Sequence, residues 1–168
     1  MKKRFETQIA LAEYERGLEA AVEAKVEEIE KMYDLMSVSF AGLVESRDGV
    51  TGGHLKNTSI YFTAFIEYLA GLPQYKELLP KSTVEKACRA APLHDVGKIA
   101  VKDAVLCKEG VLSDEEFEQM KMHSIIGGEI FKFIGERIPD KEFAKIAEQL
   151  ARHHHEKWNG NGYPDRLK

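Results

Sequence analysis

Between Phe5 and Val44 the chain has no proline and only two glycines, Gly17 and Gly42, in a run dense in Ala, Glu, Lys and Leu. Such residues lose little side-chain freedom on entering a helix, so the run predicts one long helix. Within it the apolar positions Val22, Val26, Ile29, Tyr33, Met36, Phe40 and Leu43 step by four, three, four, three, four and three. That is a heptad seam. Upstream, Leu11, Leu18 and Val22 are seven and four apart, so two steps of four meet at Val22 and make a stutter, which locally unwinds a supercoil. Two readings stay open: the helix packs on its own domain, or it forms a parallel dimeric coil over residues 5–35 that runs on into the domain.

The remainder also reads as helix, since no stretch shows period-two alternation flanked by turn residues. After Arg47 the texture changes: Gly49, Gly52 and Gly53 break the pattern and His54 opens a second helix with Tyr61, Phe62, Phe65 and Leu69 as its apolar face. Pro73 and Pro80 bracket a short connection. Ser82 with Glu85 predicts a capping box for a helix running to His94-Asp95, with Gly97 at its end. Ser113 with Glu116 predicts another, opening a segment that carries His123, is loosened at Gly127-Gly128 and stops at Pro139. Residues 141–157 form the last predicted helix, ending in His153-His154-His155, and a Gly/Asn/Pro loop follows.

Composition narrows the function. At 43% hydrophobic and 31% charged the chain has the means to fold. A net charge of -4 argues against binding a nucleic acid polymer through bulk electrostatics. It leaves room for a small anion at a metal, which brings its own positive charge. Cys88 and Cys107 form no CxxC pair, so neither a disulfide scaffold nor a zinc finger is expected, and a reduced cytoplasmic compartment is. MKKRFETQ at the N-terminus has no apolar core of a signal peptide, and no run is long enough to span a bilayer.

The chemistry lies in the histidines. His94-Asp95-Val96-Gly97-Lys98 places two metal-ligand types side by side, with a compact cation for a phosphate oxygen. Alone, the His-Asp pair also fits a solvated helix end. The chain's six histidines, His54, His94, His123, His153, His154 and His155, fall on four separate predicted helices, which packing explains poorly. Converging helices are how helical proteins build metal sites. Neighbouring residues on a helix point about 100° apart, so one of the triple histidines faces elsewhere. The nitrogen ligands are too many for one closed site, which favours a two-metal hydrolytic centre with a bridging Asp.

These residues resemble a known family. His94-Asp95-x-Gly97-Lys98, Lys108-x-Gly110-x-Leu112-Ser113, His123, His154-His155-Glu156 and Asn159-Gly160-Asn161-Gly162-Tyr163-Pro164 are similar to the motifs of the HD-GYP family. So is Arg47-Asp48-x-x-Thr51-Gly52-x-His54. The family is a subset of the HD metal-dependent phosphohydrolases. The resemblance implies an all-α, HD-type helical bundle over residues 45–168, preceded by a signalling or linker helix over residues 1–44. It implies a phosphodiesterase acting on cyclic di-GMP, with two divalent metal ions, iron or manganese. It maps metal ligands onto His54, His94, Asp95, His123, His154 and His155, with Asp95 as the bridge. Lys98 maps onto a lysine that contacts the scissile phosphate or water, and Gly162 and Tyr163 onto the loop near the substrate, where the alternative is that this loop only keeps its own shape. A homodimer through the N-terminal helix and an upstream receiver or sensor domain are the partners such a helix implies.

Three departures bear on these expectations. Family members carry a further Asp ligand in the segment after the GYP loop, whereas this chain ends at Lys168, so the expectation is a fragment one ligand short. Some relatives carry a Glu between the Asp48 and His54 positions that recruits a third metal; Gly49, Val50 and Thr51 stand here, which favours two. Asn159 occupies a position where Asp is usual. Two competing readings are a phosphohydrolase of another nucleotide and a catalytically impaired domain acting as an adaptor or sensor.

Overall fold

The computed structural model describes residues 2–47 and 53–168, with side chains from residue 7 onward. Asp48, Thr51 and Gly52 of the first motif, and the Gly49–Thr51 stretch on which the two-metal expectation turned, lie outside the described residues. Among those described there are six α-helices, three short 3-10 turns and no strand. The helices are α1 (Lys2–Glu45), α2 (Gly53–Ala70), α3 (Lys81–Ala90), α4 (Asp103–Leu106), α5 (Asp114–Gly135) and α6 (Lys141–His153). The protein is all-α, as the sequence predicts. It divides into two compact units, residues 1–36 and 37–168.

The first unit holds only helix α1, up to Met36. Its seam residues Val22, Val26, Ile29, Tyr33 and Met36 are all exposed.

In the second unit the centre is the crossing of α5 and α6. Phe131, Ala147 and Ala151 are buried there together with Ala41, Ala90, Leu93 and Val96. Truncating a buried Phe such as Phe131 costs about 3–5 kcal/mol. Helix α5 starts on a full capping box: the Glu116 N–H donates to Ser113 Oγ at 3.3 Å, and the Ser113 N–H donates to Glu116 Oε2 at 2.7 Å. Asp114, Glu115 and Glu116 then lie on its positive end. Helix α6 is capped by Asp140, whose carboxylate accepts from the Phe143 N–H at 3.0 Å.

Several predicted boundaries are corrected. Helix α3 begins at Lys81 behind Pro80, and Ser82 is not its cap. Proline sets the starting φ, and its carbonyl accepts the Thr83 and Val84 N–H groups. The helix ends at Ala90 rather than at His94-Asp95, because Pro92 has no N–H to continue it. Two 3-10 turns, Ala91–Leu93 and Val96–Ala100, carry the chain past the His-Asp pair. Helix α5 continues through Gly127-Gly128, where a side chain on Gly127 would press on Ala151 of α6; these glycines permit close packing instead of loosening the helix. Helix α6 stops at His153, four residues early. On α2 the burial falls on Ile66, with Phe62 and Leu69 half-buried, whereas Tyr61 and Phe65 are exposed.

Candidate metal centre

Two packed helices each deliver histidine to one point because the histidines continue the buried stripes. On α5 the residues at 123, 127 and 131 recur every four and are all buried, and His123, in the middle of the helix, is 1% exposed. On α6 the buried positions 144, 147 and 151 lead to 154 and 155, three and four beyond Ala151. Residue 153 falls two beyond, about 200° round the helix. The side chains follow this: His154 and His155 turn inward, whereas His153 Nε2 meets Asp165 Oδ2 at 3.0 Å. That carboxylate also takes a two-pronged ion pair from Arg152, at 2.6 and 2.7 Å.

The His-Asp pair reaches the same point through close backbone packing. A Cβ on Gly97 would lie 1.9 Å from the His123 carbonyl oxygen and 2.6 Å from the Gly127 nitrogen. Only glycine lets the turn carrying Asp95 approach α5 so nearly. Asp95 then presents its two oxygens to different partners. Oδ1 lies 3.4 Å from both His123 Nε2 and His154 Nε2. Oδ2 lies 3.3 Å from His94 Nε2 and 2.9 Å from Lys98 Nζ. Two groups of donor atoms result, each with its members within 4.8 Å of one another: Asp95, His123, His154 and His155, and His54, His94 and Asp95. Asp95 belongs to both.

The ring nitrogens are set by the backbone. Nδ1 of His94 faces the Ala91 carbonyl at 2.9 Å, Nδ1 of His123 the Met120 carbonyl at 2.7 Å, and Nδ1 of His154 the Ala151 carbonyl at 3.0 Å. A carbonyl only accepts, so each Nδ1 carries the proton and each Nε2 presents its lone pair to the cluster. His123 Nε2 and His154 Nε2 are 3.2 Å apart. Two lone pairs so placed repel unless a cation lies against both.

Electrostatics complete a donor set that fits a divalent metal ion. Burial works to raise the Asp95 pKa, but the imidazoles of His154 and His94 and the Lys98 ammonium beside it outweigh this, and the carboxyl lies well below the usual carboxylate range. Burial pushes His155 down to about 4, helped by the charges of His154 and His123, and burial also lowers His123. His94 is desolvated too, yet the Asp95 carboxylate beside it raises it on balance. Ionised carboxylate and neutral imidazole are the forms that ligate.

The loop after α6 covers one side of the cluster. The Tyr163 ring stacks on His155 with centroids 4.6 Å apart. Burial pushes its phenol up to about 12, with the Asp95 charge adding to the effect. Gly162 is buried, and a Cβ there would meet the Lys157 nitrogen at 2.3 Å. The loop is held from within: the Glu156 carboxylate accepts the N–H groups of Asp165, Arg166 and Leu167 at 2.7, 3.0 and 3.0 Å.

Two further residues position the site: Glu45, which no motif marks, and Arg47, which the first motif contains without showing its role. Glu45 is buried and accepts the Leu55 N–H at 3.0 Å, capping the helix that carries the exposed His54. Its only trace in sequence is a carboxylate ten residues before that N–H, across a glycine-rich stretch. Arg47 donates to the carbonyls of Lys98, Ile99 and Val101 and pairs with Asp103 at 2.6 Å. It thus ties the end of α1 to the turn after Lys98.

Comparison with known proteins bears directly on this arrangement. Residues 52–168 match the family model of the HD domain. A cyclic di-GMP phosphodiesterase of Vibrio cholerae is 43% identical over 88% of this chain and 30% of its own length. The cyclic di-GMP phosphodiesterase response regulator RpfG of Xanthomonas campestris is 35% identical over 90% of this chain and 36% of its length. The 3′3′-cGAMP-specific phosphodiesterase 2 of Vibrio cholerae is 35% identical over 84% of this chain and 26% of its length. The chain thus spans about a third of the length of these relatives.

Proposed function

The chain belongs to the HD domain family, with the motifs of its HD-GYP group, and from that premise we propose that the cluster centred on Asp95 is a metal-dependent phosphodiesterase site that hydrolyses cyclic di-GMP. The observation that carries this is the carboxylate of Asp95 shared between two histidine groups. On this reading His123, His154, His155 and Asp95 hold one divalent ion, and His54, His94 and Asp95 a second, with iron or manganese as the metals. Bound there, such ions supply Lewis-acid stabilisation to the phosphoryl group and activate water.

The remaining work falls to this chain's side chains. The backbone carbonyls of Ala91, Met120 and Ala151 fix the ring orientation of His94, His123 and His154, so that the ligand set is formed in advance. Lys98, 2.9 Å from Asp95 Oδ2, sets its ammonium at the edge of the cluster, where it meets a non-bridging phosphate oxygen and offsets charge that grows during displacement. Tyr163 closes the side next to His155 and limits water there.

The relatives' names extend the reading to signalling: residues 45–168 are an output domain, and residues 1–44 a helix linking it to a receiver or sensor domain. The exposed seam of α1 pairs with a second copy, which buries the apolar row that the helix leaves open. No helix among the described residues is long and apolar enough to cross a membrane, and both cysteines are free thiols, which suits the cytoplasm. Manganese- or iron-loaded protein given cyclic di-GMP tests the enzyme claim: the linear dinucleotide or GMP is expected, and Asp95→Ala removes it. An intact substrate with both proteins refutes the claim.

A further inference from the structure

Beyond Tyr163, away from the histidines, lies a cavity of about 500 Å³. That is within the range of small-ligand pockets, roughly 300–1,000 Å³. Tyr163 is shared: its ring stacks on His155 and it lines the cavity. About two and a half turns of α5 build another wall, with Phe117, Glu118, Lys121, Met122 and Ile125. None of these has a part in the ligand cluster.

Their chemistry is that of a nucleotide site. Phe117 and Met122 are large, apolar and 46% and 44% exposed, an unusual allotment on a helix that buries its other face well. The Lys121 ammonium lies 5.2 Å from the Phe117 ring centre and 5.8 Å from that of Tyr163. It therefore lies beside both rings that line the cavity. Lys157 and Arg166 add positive charge on the loop side, and Glu118 is the one carboxylate among the lining residues. A cavity with an aromatic wall, three cations and a single acceptor-only group matches a base bearing phosphate.

The single carboxylate identifies the base. Guanine offers two adjacent donors, N1–H and its N2 amino group, and an ionised carboxylate accepts both. Adenine offers one donor beside an acceptor, which a carboxylate repels. In the absence of ligand Glu118 pairs with Lys121, and with Glu118 71% exposed that pair is weak. A guanine nucleotide replaces it on both sides: the carboxylate gains N–H donors and the ammonium gains a phosphate.

We propose that this cavity is the guanine-nucleotide subsite of the phosphodiesterase, with Phe117 as the wall for the base, Glu118 as the group that reads guanine and Lys121 as a phosphate contact. The proposal rests on the reading of the Asp95 cluster given above. It names what selects among cyclic dinucleotides in a family whose relatives include both cyclic di-GMP and 3′3′-cGAMP phosphodiesterases.

Binding measured by calorimetry on the intact chain tests it, with cyclic di-GMP, 3′,3′-cGAMP and cyclic di-AMP as probes. Phe117→Ala weakens cyclic di-GMP by about tenfold or more, the scale of one lost base–aromatic contact. Phe117→Tyr, which keeps a ring, retains the affinity and shows that the effect is not misfolding. Glu118→Gln narrows the preference for cyclic di-GMP over cyclic di-AMP, and Lys121→Ala weakens all three probes alike. Flat affinities across Phe117→Ala and Glu118→Gln, or no binding by the unchanged chain, overturn the subsite. Hydrolysis of bis(p-nitrophenyl) phosphate, an ester without a base, separates the two readings. If that ester and cyclic di-GMP are cleaved while affinities stay flat, the subsite fails and the phosphodiesterase stands. If neither is cleaved while affinities shift as stated, the subsite stands and the hydrolytic reading fails.

Discussion

The two oxygens of Asp95 face surroundings of different rigidity. On the Oδ1 side, His123, His154 and His155 extend buried stripes of α5 and α6, and His123 is almost wholly enclosed. On the Oδ2 side, His94 lies between two short 3-10 turns, Lys98 rides on the second, and His54 is an exposed residue in the first turn of α2. The first side is positioned by the core itself. The second depends on single contacts: the Glu45 carboxylate beneath α2, Arg47 on the turn carbonyls, and the glycine at 97. A shared carboxylate between an enclosed group and an open one gives the site a fixed half and an adjustable half.

That contrast is open to direct attack. Asp95→Asn should have the largest effect, because it removes the charge both sides share. Metal content by mass spectrometry and cyclic di-GMP turnover should each fall by more than the roughly 10–100-fold typical of losing an outer-shell partner. Loss of metal from one side only would break the picture of a bridge. His123→Ala should come next and exceed His54→Ala in lost metal affinity, as titration with Mn²⁺ would show. The reverse order would mean that the open half is the tighter one.

Gly97→Ala tests the packing that brings the halves together. Its Cβ would collide with the His123 carbonyl, so the cost is about 3 kcal/mol, seen as a lower thermal midpoint, with weaker metal binding. His153→Ala should do least. It frees one bond to Asp165, which keeps both of its contacts to Arg152, and leaves metal affinity within about twofold of the original, the scale of a surface change. A loss matching that of His154→Ala would place His153 in the cluster.

The same contrast shows what the sequence made legible. The enclosed half rests on strong local signals: the Ser113–Glu116 box starts α5 and the family motifs mark His123, although the stripe at 123, 127 and 131 shows only once the helix runs on through Gly127-Gly128. The inward turn of two of the three consecutive histidines follows from their distance to Ala151. The open half was read less well. Pro92 ends α3 before the His-Asp pair, and the apparent Ser82 box lost to Pro80. Glu45 and the α5 residues that face the loop have no local signature, since their roles arise only when distant segments meet. On α1 the heptad steps gave the helix but not its partner, and the seam is exposed along its length.

The most direct test of the central claim is a metal count and an activity measurement on one preparation. Protein loaded anaerobically with Mn²⁺ or Fe²⁺ and then desalted is expected to retain two ions per chain and to open cyclic di-GMP, with both properties lost together in Asp95→Asn. Protein that retains no metal, or that cleaves cyclic di-GMP equally well with Asp95→Asn, would contradict it.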